Sequence, residues 1–181
     1  MDTNMRNVIF YGAVSLDGYL ADDNYSLDWL FKYNDEKIMK ESYQPFFEQV
    51  DTVIMGRKTY DDLMRMSDEF PYPNTEVFVL SHRKIDSKYV KQTDKPVDEL
   101  VKELKEKSGK NIWIVGGGQI VSSLIEHNLI DTIQIQITPD LLGSGVKLFQ
   151  HMNHASRFQT IFAKQYGELI DIKYQLKSPT A

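Results

Sequence analysis

Three short strings join glycine, hydroxyl and basic residues in a chain whose net charge is −5. They are Gly56-Arg57-Lys58-Thr59, Ser81-His82-Arg83 and Gly116-Gly117-Gly118-Gln119. Arg57 and Lys58 stand where a helix is expected to begin, and cations there oppose the helix dipole at about 0.3–1 kcal/mol each. An anion held by the free N–H groups of that first turn reverses the sign. Two solvated surface charges account for the pair as well. The glycine triplet admits close backbone approach by a ligand, or makes a tight strand-to-helix turn and nothing more. It is neither a Walker loop nor the G-x-G-x-x-G dinucleotide fingerprint, because neither spacing is met. Asp17-Gly18 reads as a turn or as a candidate acid. In residues 27–33, Asp28 and Trp29 either line a pocket for a planar substrate or belong to the core. His151 and His154 lack a third ligand at a helpful spacing, so no metal site is expected.

Each of the three strings follows a continuous apolar run, the mark of a strand buried on both faces. Residues 52–55, 77–80 and 112–115 are those runs, and residues 8–14 form a fourth. Helical stripes lie between them. Val97, Leu100, Val101 and Leu104 follow the i, i+3, i+4, i+7 spacing. Ile120, Val121, Leu124 and Ile125 form another stripe, and Tyr60, Leu63 and Met64 predict a short helix after Gly56. Residues 35–49 are predicted helical, with Pro45 interrupting the helix or opening a new turn. Residues 132–137 and 170–176 alternate strictly, with Phe158, Thr160 and Phe162 on the facing run and a turn at Tyr166-Gly167. The expected fold is α/β, one domain over residues 1–181, with a mostly parallel sheet and a C-terminal antiparallel hairpin. Ligands of such sheets bind at the carboxyl ends of the strands, where all three strings fall.

Composition narrows the function classes. A chain of 181 residues with 41% hydrophobic and 26% charged residues fits a single globular domain. The absence of cysteine excludes disulfides, thiolate nucleophiles and Cys-ligated zinc. Apolar runs are strand-sized and the first residues lack a signal-peptide pattern, so no membrane span and a cytoplasmic location are expected. The acidic balance argues against a nucleic-acid partner. Ile133, Ile135 and Ile137 lie on one face of their strand, Gln134 and Gln136 on the other. Burial of both faces would come from a second copy of the chain or from the terminal hairpin.

Five strings in their order carry a resemblance. They are residues 13–21 (Ala-Val-Ser-Leu-Asp-Gly-Tyr-Leu-Ala), 53–60 (Val-Ile-Met-Gly-Arg-Lys-Thr-Tyr), 79–81, 114–118, and 138–145 with Leu148-Phe149. Together the chain resembles the dihydrofolate reductase-like superfamily, and within it the reductase domain of the bacterial riboflavin-biosynthesis enzyme, the RibD C-terminal domain family. The resemblance runs from residue 7 to about 177. It implies an eight-stranded sheet and an NADPH site across its strand ends. Arg57, Ser81, His82 and Arg83 would surround the 2′-phosphate, with Lys58 and Thr59 at the pyrophosphate. Gly117, Gly118, Gln119 and Ile120 would continue that cradle, flanked by Gly56, Leu80, Val115 and Gly116. Ala13 and Leu20 would border the nicotinamide. A cis peptide is implied at Gly116-Gly117, and a homodimer is implied as well.

The implied activity resembles that of 5-amino-6-(5-phosphoribosylamino)uracil reductase, a hydride transfer to a small heterocyclic or sugar-linked C=N or C=O substrate. The zinc deaminase signature is missing, so a stand-alone reductase is expected. Asp17 and Asp28 are the candidate catalytic acids, and Trp29 and Thr138 the candidate substrate contacts. Two alternatives stay open. Folate reduction would need a carboxylate on the first helix, and Asp28, Asp35 and Glu36 align poorly with it. A nucleotide-binding module without turnover is the other, favoured if Asp17 and Asp28 face solvent rather than the nicotinamide pocket.

Overall fold

The computed structural model describes residues 5–177; residues 1–4 and 178–181 of the expected domain lie outside them. Along the chain the strands are β1 (Val8–Val14), β2 (Tyr19–Ala21), β3 (Val50–Gly56), β4 (Glu76–Leu80), β5 (Lys91–Thr93) and β6 (Asn111–Gly116). They continue with β7 (Thr132–Ile137), β8 (Val146–Lys147), β9 (Phe158–Tyr166) and β10 (Leu169–Leu176). The helices are α1 (Asp28–Phe31), α2 (Glu36–Ile38), α3 (Gln44–Phe47), α4 (Arg57–Met66), α5 (Val97–Lys105) and α6 (Gly118–Glu126). Eight strands form one sheet in the order β5-β4-β3-β6-β1-β7-β10-β9. The first six pair in parallel; β10 runs antiparallel to both β7 and β9. β2 and β8 make a separate two-stranded ribbon beside the sheet.

Continuous apolar strands arise because both faces are covered. Phe10, Ile112 and Ile114 point to one side, under the buried stripe Val97, Leu100, Val101 and Leu104 of α5 and the matching stripe of α6. Each such side chain contributes about 1.5–3 kcal/mol when fully buried. Ile9, Tyr11, Val53, Met55 and Trp113 point to the other side, against Phe46 of α3 and Tyr60 of α4. There Tyr11 stacks on Phe46 at 4.2 Å, and Trp113 meets Phe46 edge-on at 5.2 Å.

Two expectations are refined by the coordinates. Residues 35–49 are not one α-helix: a π-helical turn, Met39–Tyr43, joins α2 to α3. Pro45 lacks an N–H and its ring would crowd the carbonyl four residues back, so the wider turn just ahead of it relieves the conflict. The two-sided burial of β7 comes from within the chain: Ile133 and Ile135 pack in the core with the stripes of α5 and α6, and Gln134 and Gln136 meet Ser42 and Asp171 on the other face. It therefore carries no argument for a second copy.

Candidate functional site

The carboxyl ends of the parallel strands open into a cleft of about 1150 Å³. Gly56 ends β3 and opens α4; Gly117 follows β6 and opens α6. Neither glycine provides a side-chain cap, so first-turn N–H groups of both helices lack an internal acceptor. Both starts line the same cleft, and two positive helix ends on one cavity favour an anion. A Cβ added to Gly117 would meet nothing within 4 Å, so the space before it is open. The Gly116-Gly117 peptide is cis, as the resemblance implied.

Most of the expected cofactor residues gather here. Ala13, Leu20, Gly56, Arg57, Lys58, Thr59, Leu80 and Val115 line the cleft, as do the five residues from Gly116 to Ile120. Ser81, His82 and Arg83 do not. The Ser81 hydroxyl donates to the Arg83 carbonyl at 2.8 Å and accepts from the Arg83 N–H at 3.1 Å, closing its own turn. His82 and Arg83 are exposed on the loop that leaves β4. Arg57 ties that loop to the cleft: one guanidinium nitrogen lies 3.4 Å from the Arg83 carbonyl and 3.5 Å from Ser81 Oγ. Its Nε donates to Asp61, and Lys58 donates to Asp62 at 2.7 Å. These i, i+4 partners offset the dipole cost the sequence raised, by about 0.3–0.5 kcal/mol each.

The expected acids and substrate contacts fall elsewhere. Asp17, Asp28, Trp29 and Thr138 line neither the cleft nor the recess beside it. Asp28 is exposed at the start of α1, Trp29 is half-buried on the same turn, and Thr138 is fully buried at the end of β7. Asp17 accepts from Ser15 Oγ at 2.6 Å and from the N–H groups of Leu142 and Gly143 at 3.1 and 2.8 Å. Its oxygens hold a loop rather than meet a substrate.

Beyond Ala13 and Gln136 the cleft continues into a recess of about 530 Å³ under α1 and the π-helical turn. Behind its wall lies a buried polar chain. Asp171 of β10, 1% exposed, accepts from Ser42 Oγ at 2.8 Å and from the amides of Gln134 and Gln136, the latter at 2.7 Å. Ser42 has one hydrogen and gives it to Asp171, so the Tyr11 hydroxyl, 2.9 Å away, must donate to Ser42. Burial, the largest influence, pushes the Tyr11 phenol well above its ordinary range.

The sequence matches the RibD C-terminal domain over residues 6–170. The chain belongs to the RibD C-terminal domain family. YwjB of Bacillus subtilis (strain 168), a protein of uncharacterized function, is 32% identical over 171 residues, 93% of this chain and 97% of its own. A crystal structure of a putative riboflavin biosynthesis protein from Shewanella sp. PV-4 superposes with a TM-score of 0.86 at 29% identity, covering 95% of this chain and 99% of that one. The deaminase/5-amino-6-(5-phosphoribosylamino)uracil reductase of Thermotoga maritima shares the fold, with a TM-score of 0.68 at 16% identity over 96% of this chain and 57% of its own. The fold is thus that of a riboflavin-pathway reductase domain, dihydrofolate reductase-like in its sheet.

In this RibD C-terminal domain the loop after β7 borders the cleft through Ser144 and Gly145, and two carboxylates clamp it. Asp17 is one. Asp140 is the other, accepting from Lys32 Nζ at 2.7 Å and Tyr33 Oη at 2.5 Å. The Ser15 hydroxyl foremost, then the Gly143 and Leu142 N–H groups, hold Asp17 below the ordinary aspartate range. Lys32 and Tyr33 do the same for Asp140. A carboxyl depressed in the folded state stabilises above its unfolded value and loses that contribution as pH falls through its folded value. The clamps are therefore complete at neutral pH, begin to lose their contribution below the ordinary aspartate value of about 4, and fail as pH falls through their own lower values. Hydrogen-exchange protection of the Leu142 and Gly143 amides should collapse over that window. Asp17→Asn should remove the pH dependence, and an acid loss of protection that persists in Asp17→Asn would refute the clamp.

Gln136, Tyr11 and Tyr43, which line both cavities, were not singled out from the sequence as site residues. A signal existed in two glutamines on an isoleucine strand that ends beside Ala13. The alternation raised only the question of what buries both faces, a second copy or the terminal hairpin.

Proposed function

We propose that this domain is an NADPH-dependent reductase, passing a hydride to a C=N or C=O carbon of a small heterocyclic or sugar-linked substrate. The observation that carries the reading is the pair of uncapped helix starts meeting in one cleft, with open space before Gly117. A dinucleotide pyrophosphate suits two such ends at once. Arg57, held beside Ser81 and the Arg83 carbonyl, stands where a 2′-phosphate would be met, which favours NADPH over NADH. When bound, the cofactor supplies the hydride; the chain's part is to set donor and acceptor together along the wall at Ala13. The cleft carboxylates are already engaged, Asp62 by Lys58 and Arg65, Asp23 by Ser144. Neither of these carboxylates is therefore offered as the proton donor. The reductase named for the Thermotoga maritima relative supports the reaction type. A cytoplasmic location and a homodimer belong to the same proposal; of the two outer strands, β5 and β9, the longer β9 carries exposed Ile161 and Phe162.

Calorimetric titration of wild type and Arg57→Ala with NADPH, NADP⁺ and NADH tests the site. Arg57→Ala should weaken NADPH at least tenfold, about 1.4 kcal/mol, and leave NADH nearly unchanged. No binding of any nicotinamide form by the wild type would sink the reading. One observation favours binding without turnover, namely that neither Asp17 nor Asp28 reaches the cleft. NADPH that binds but is never oxidised across aminopyrimidine, pterin and sugar-carbonyl substrates would support that second reading.

A further inference from the structure

One short segment between β2 and α2 supplies a wall to both cavities. Leu27 and Leu30 line the cleft, and Leu30, Phe31, Tyr33 and Asn34 line the recess. Within residues 27–34 the regular structure is α1, four residues of which none is buried, with no side chain capping its first turn. Each end of the segment is anchored by bonds of its own. On one side Asp22 Oδ1 accepts from the N–H groups of Asn24 and Ser26 at 2.8 and 2.9 Å. On the other, Asp35 accepts from the Lys37 N–H at 2.7 Å and opens α2, whose Ile38 is buried.

What ties this segment to the rest of the domain converges on one carboxylate. Asp140 takes the hydrogens of Lys32 Nζ and Tyr33 Oη on separate oxygens. Among the described residues no other hydrogen bond or ion pair joins residues 27–34 to the sheet or to the loop after β7. Apolar packing adds little, because of these residues only Tyr33 packs on a buried apolar cluster. Asp140 itself is fixed: its carbonyl accepts from the Leu16 N–H at 2.8 Å, and the nearby Leu142 and Gly143 N–H groups are held by Asp17. The carboxylate is the post, and the segment is the part that can move. Trp29 favours such movement. Its Nε1–H is sealed from solvent and finds no acceptor among the described residues, a cost of the closed arrangement that exposure to water relieves.

We infer that residues 27–34 are a lid shared by the cleft and the recess, held shut by a latch in which Asp140 receives Lys32 and Tyr33. Opening breaks two side-chain bonds, uncovers little buried apolar surface and hands the Trp29 indole to water. Segments with so few ties open locally, well short of global unfolding. With the lid displaced, the recess loses the wall formed by Leu30, Phe31, Tyr33 and Asn34 and stands open to solvent. The latch thereby sets how fast a ligand enters or leaves the recess. A lid of this kind serves any ligand of the two cavities, so it stands whether or not the cofactor is NADPH.

The test compares the ligand-free full chain with the double variant Lys32→Met/Tyr33→Phe, which removes both latch donors, keeps their apolar bulk and leaves Asp140 on its post. Hydrogen exchange of the Trp29 indole, followed by NMR, should be at least tenfold faster in the variant. Acrylamide should quench its tryptophan fluorescence more strongly, and that gain reports Trp29 because Trp113 is 5% exposed. Amides of β7 should exchange at the wild-type rate, which separates a local opening from a general loosening. Asp140→Asn, which keeps the shape of the post and loses the ion pair, should fall between wild type and the double variant. Unchanged indole exchange or unchanged quenching in the double variant overturns the lid, because the wall then stands without its latch. Exchange that accelerates equally in β7 overturns it too, since the whole fold has then loosened. An indole already unprotected in the wild type would mean that nothing is shut.

Discussion

Gly118→Ala is expected to destabilise the fold around the cleft, whereas Gly117→Ala should spare the fold and weaken cofactor binding. The two positions are adjacent and differ only in what surrounds them. A Cβ on Gly118 would run into the Lys147 carbonyl oxygen and lie 2.7 Å from that of Leu148. Both obstacles are backbone, and that backbone is pinned: Leu148 is fully buried and its N–H donates to the Gly18 carbonyl at 3.0 Å. Overpacking of this kind costs about 3 kcal/mol or more. For a domain of this size that lowers the melting temperature by roughly 6–12 °C. Gly117 has extended backbone angles, φ −82° and ψ −168°, which any residue adopts, and its Cβ would enter open space. Gly117→Ala should melt within about 2 °C of wild type, since an added methyl there strains nothing. If the open space is the phosphate cradle, the same methyl should weaken NADPH at least tenfold. Wild-type affinity in Gly117→Ala would remove the cradle from that spot. A wild-type melting temperature in Gly118→Ala would show that the strand crossing it can move aside.

That contrast also marks what the sequence could and could not convey. A glycine triplet after an apolar run announces a turn with close backbone approach, and its position at a strand end places it at a site. Which glycine is crowded by protein and which faces open space depends on β8, a two-residue strand (Val146–Lys147) far downstream in the chain. No local pattern reports it. The parallel strands and the helices with strong stripes were legible because burial on both faces, or on one, leaves a period that a single window can show. β5 and β2 are three residues each, too short for any period, and were missed. Asp17 illustrates the opposite failure. An acid after the first strand looks like chemistry, but its oxygens are taken by Ser15 and by the backbone of Leu142 and Gly143, about 125 residues away in sequence. Gln136, which lines both cavities, is oriented by an aspartate in a strand that alternation alone describes as half-exposed.

Asp171 is accordingly the residue whose loss should cost the most at a distance from the cleft. It lies on β10 opposite Gln136 of β7, and its two oxygens take hydrogens from Ser42, Gln134 and Gln136. Replacing it by alanine strands three buried donors at once, each worth about 1–3 kcal/mol when unsatisfied. Allowing for partial rearrangement, the loss should be about 4 kcal/mol, a fall in melting temperature of roughly 8–16 °C. Asparagine keeps the shape and one acceptor, so it should cost about half as much. Its NH₂ group fits best on the Ser42 side, where the hydroxyl can turn and accept. Ser42 then gives its hydrogen to Tyr11, and the hydrogen chain runs toward the cleft instead of away from it. Calorimetric melts of the two variants measure the first effect. Little change in either would mean that water replaces the carboxylate and that the chain is not sealed. The second effect is read in the NMR signals of the Gln136 side-chain amide: Asp171→Asn keeps Gln136 in place only through the remaining oxygen. If that oxygen holds the amide, Gln136 keeps its orientation in Asp171→Asn and loses it in Asp171→Ala, although neither variant touches a cavity wall.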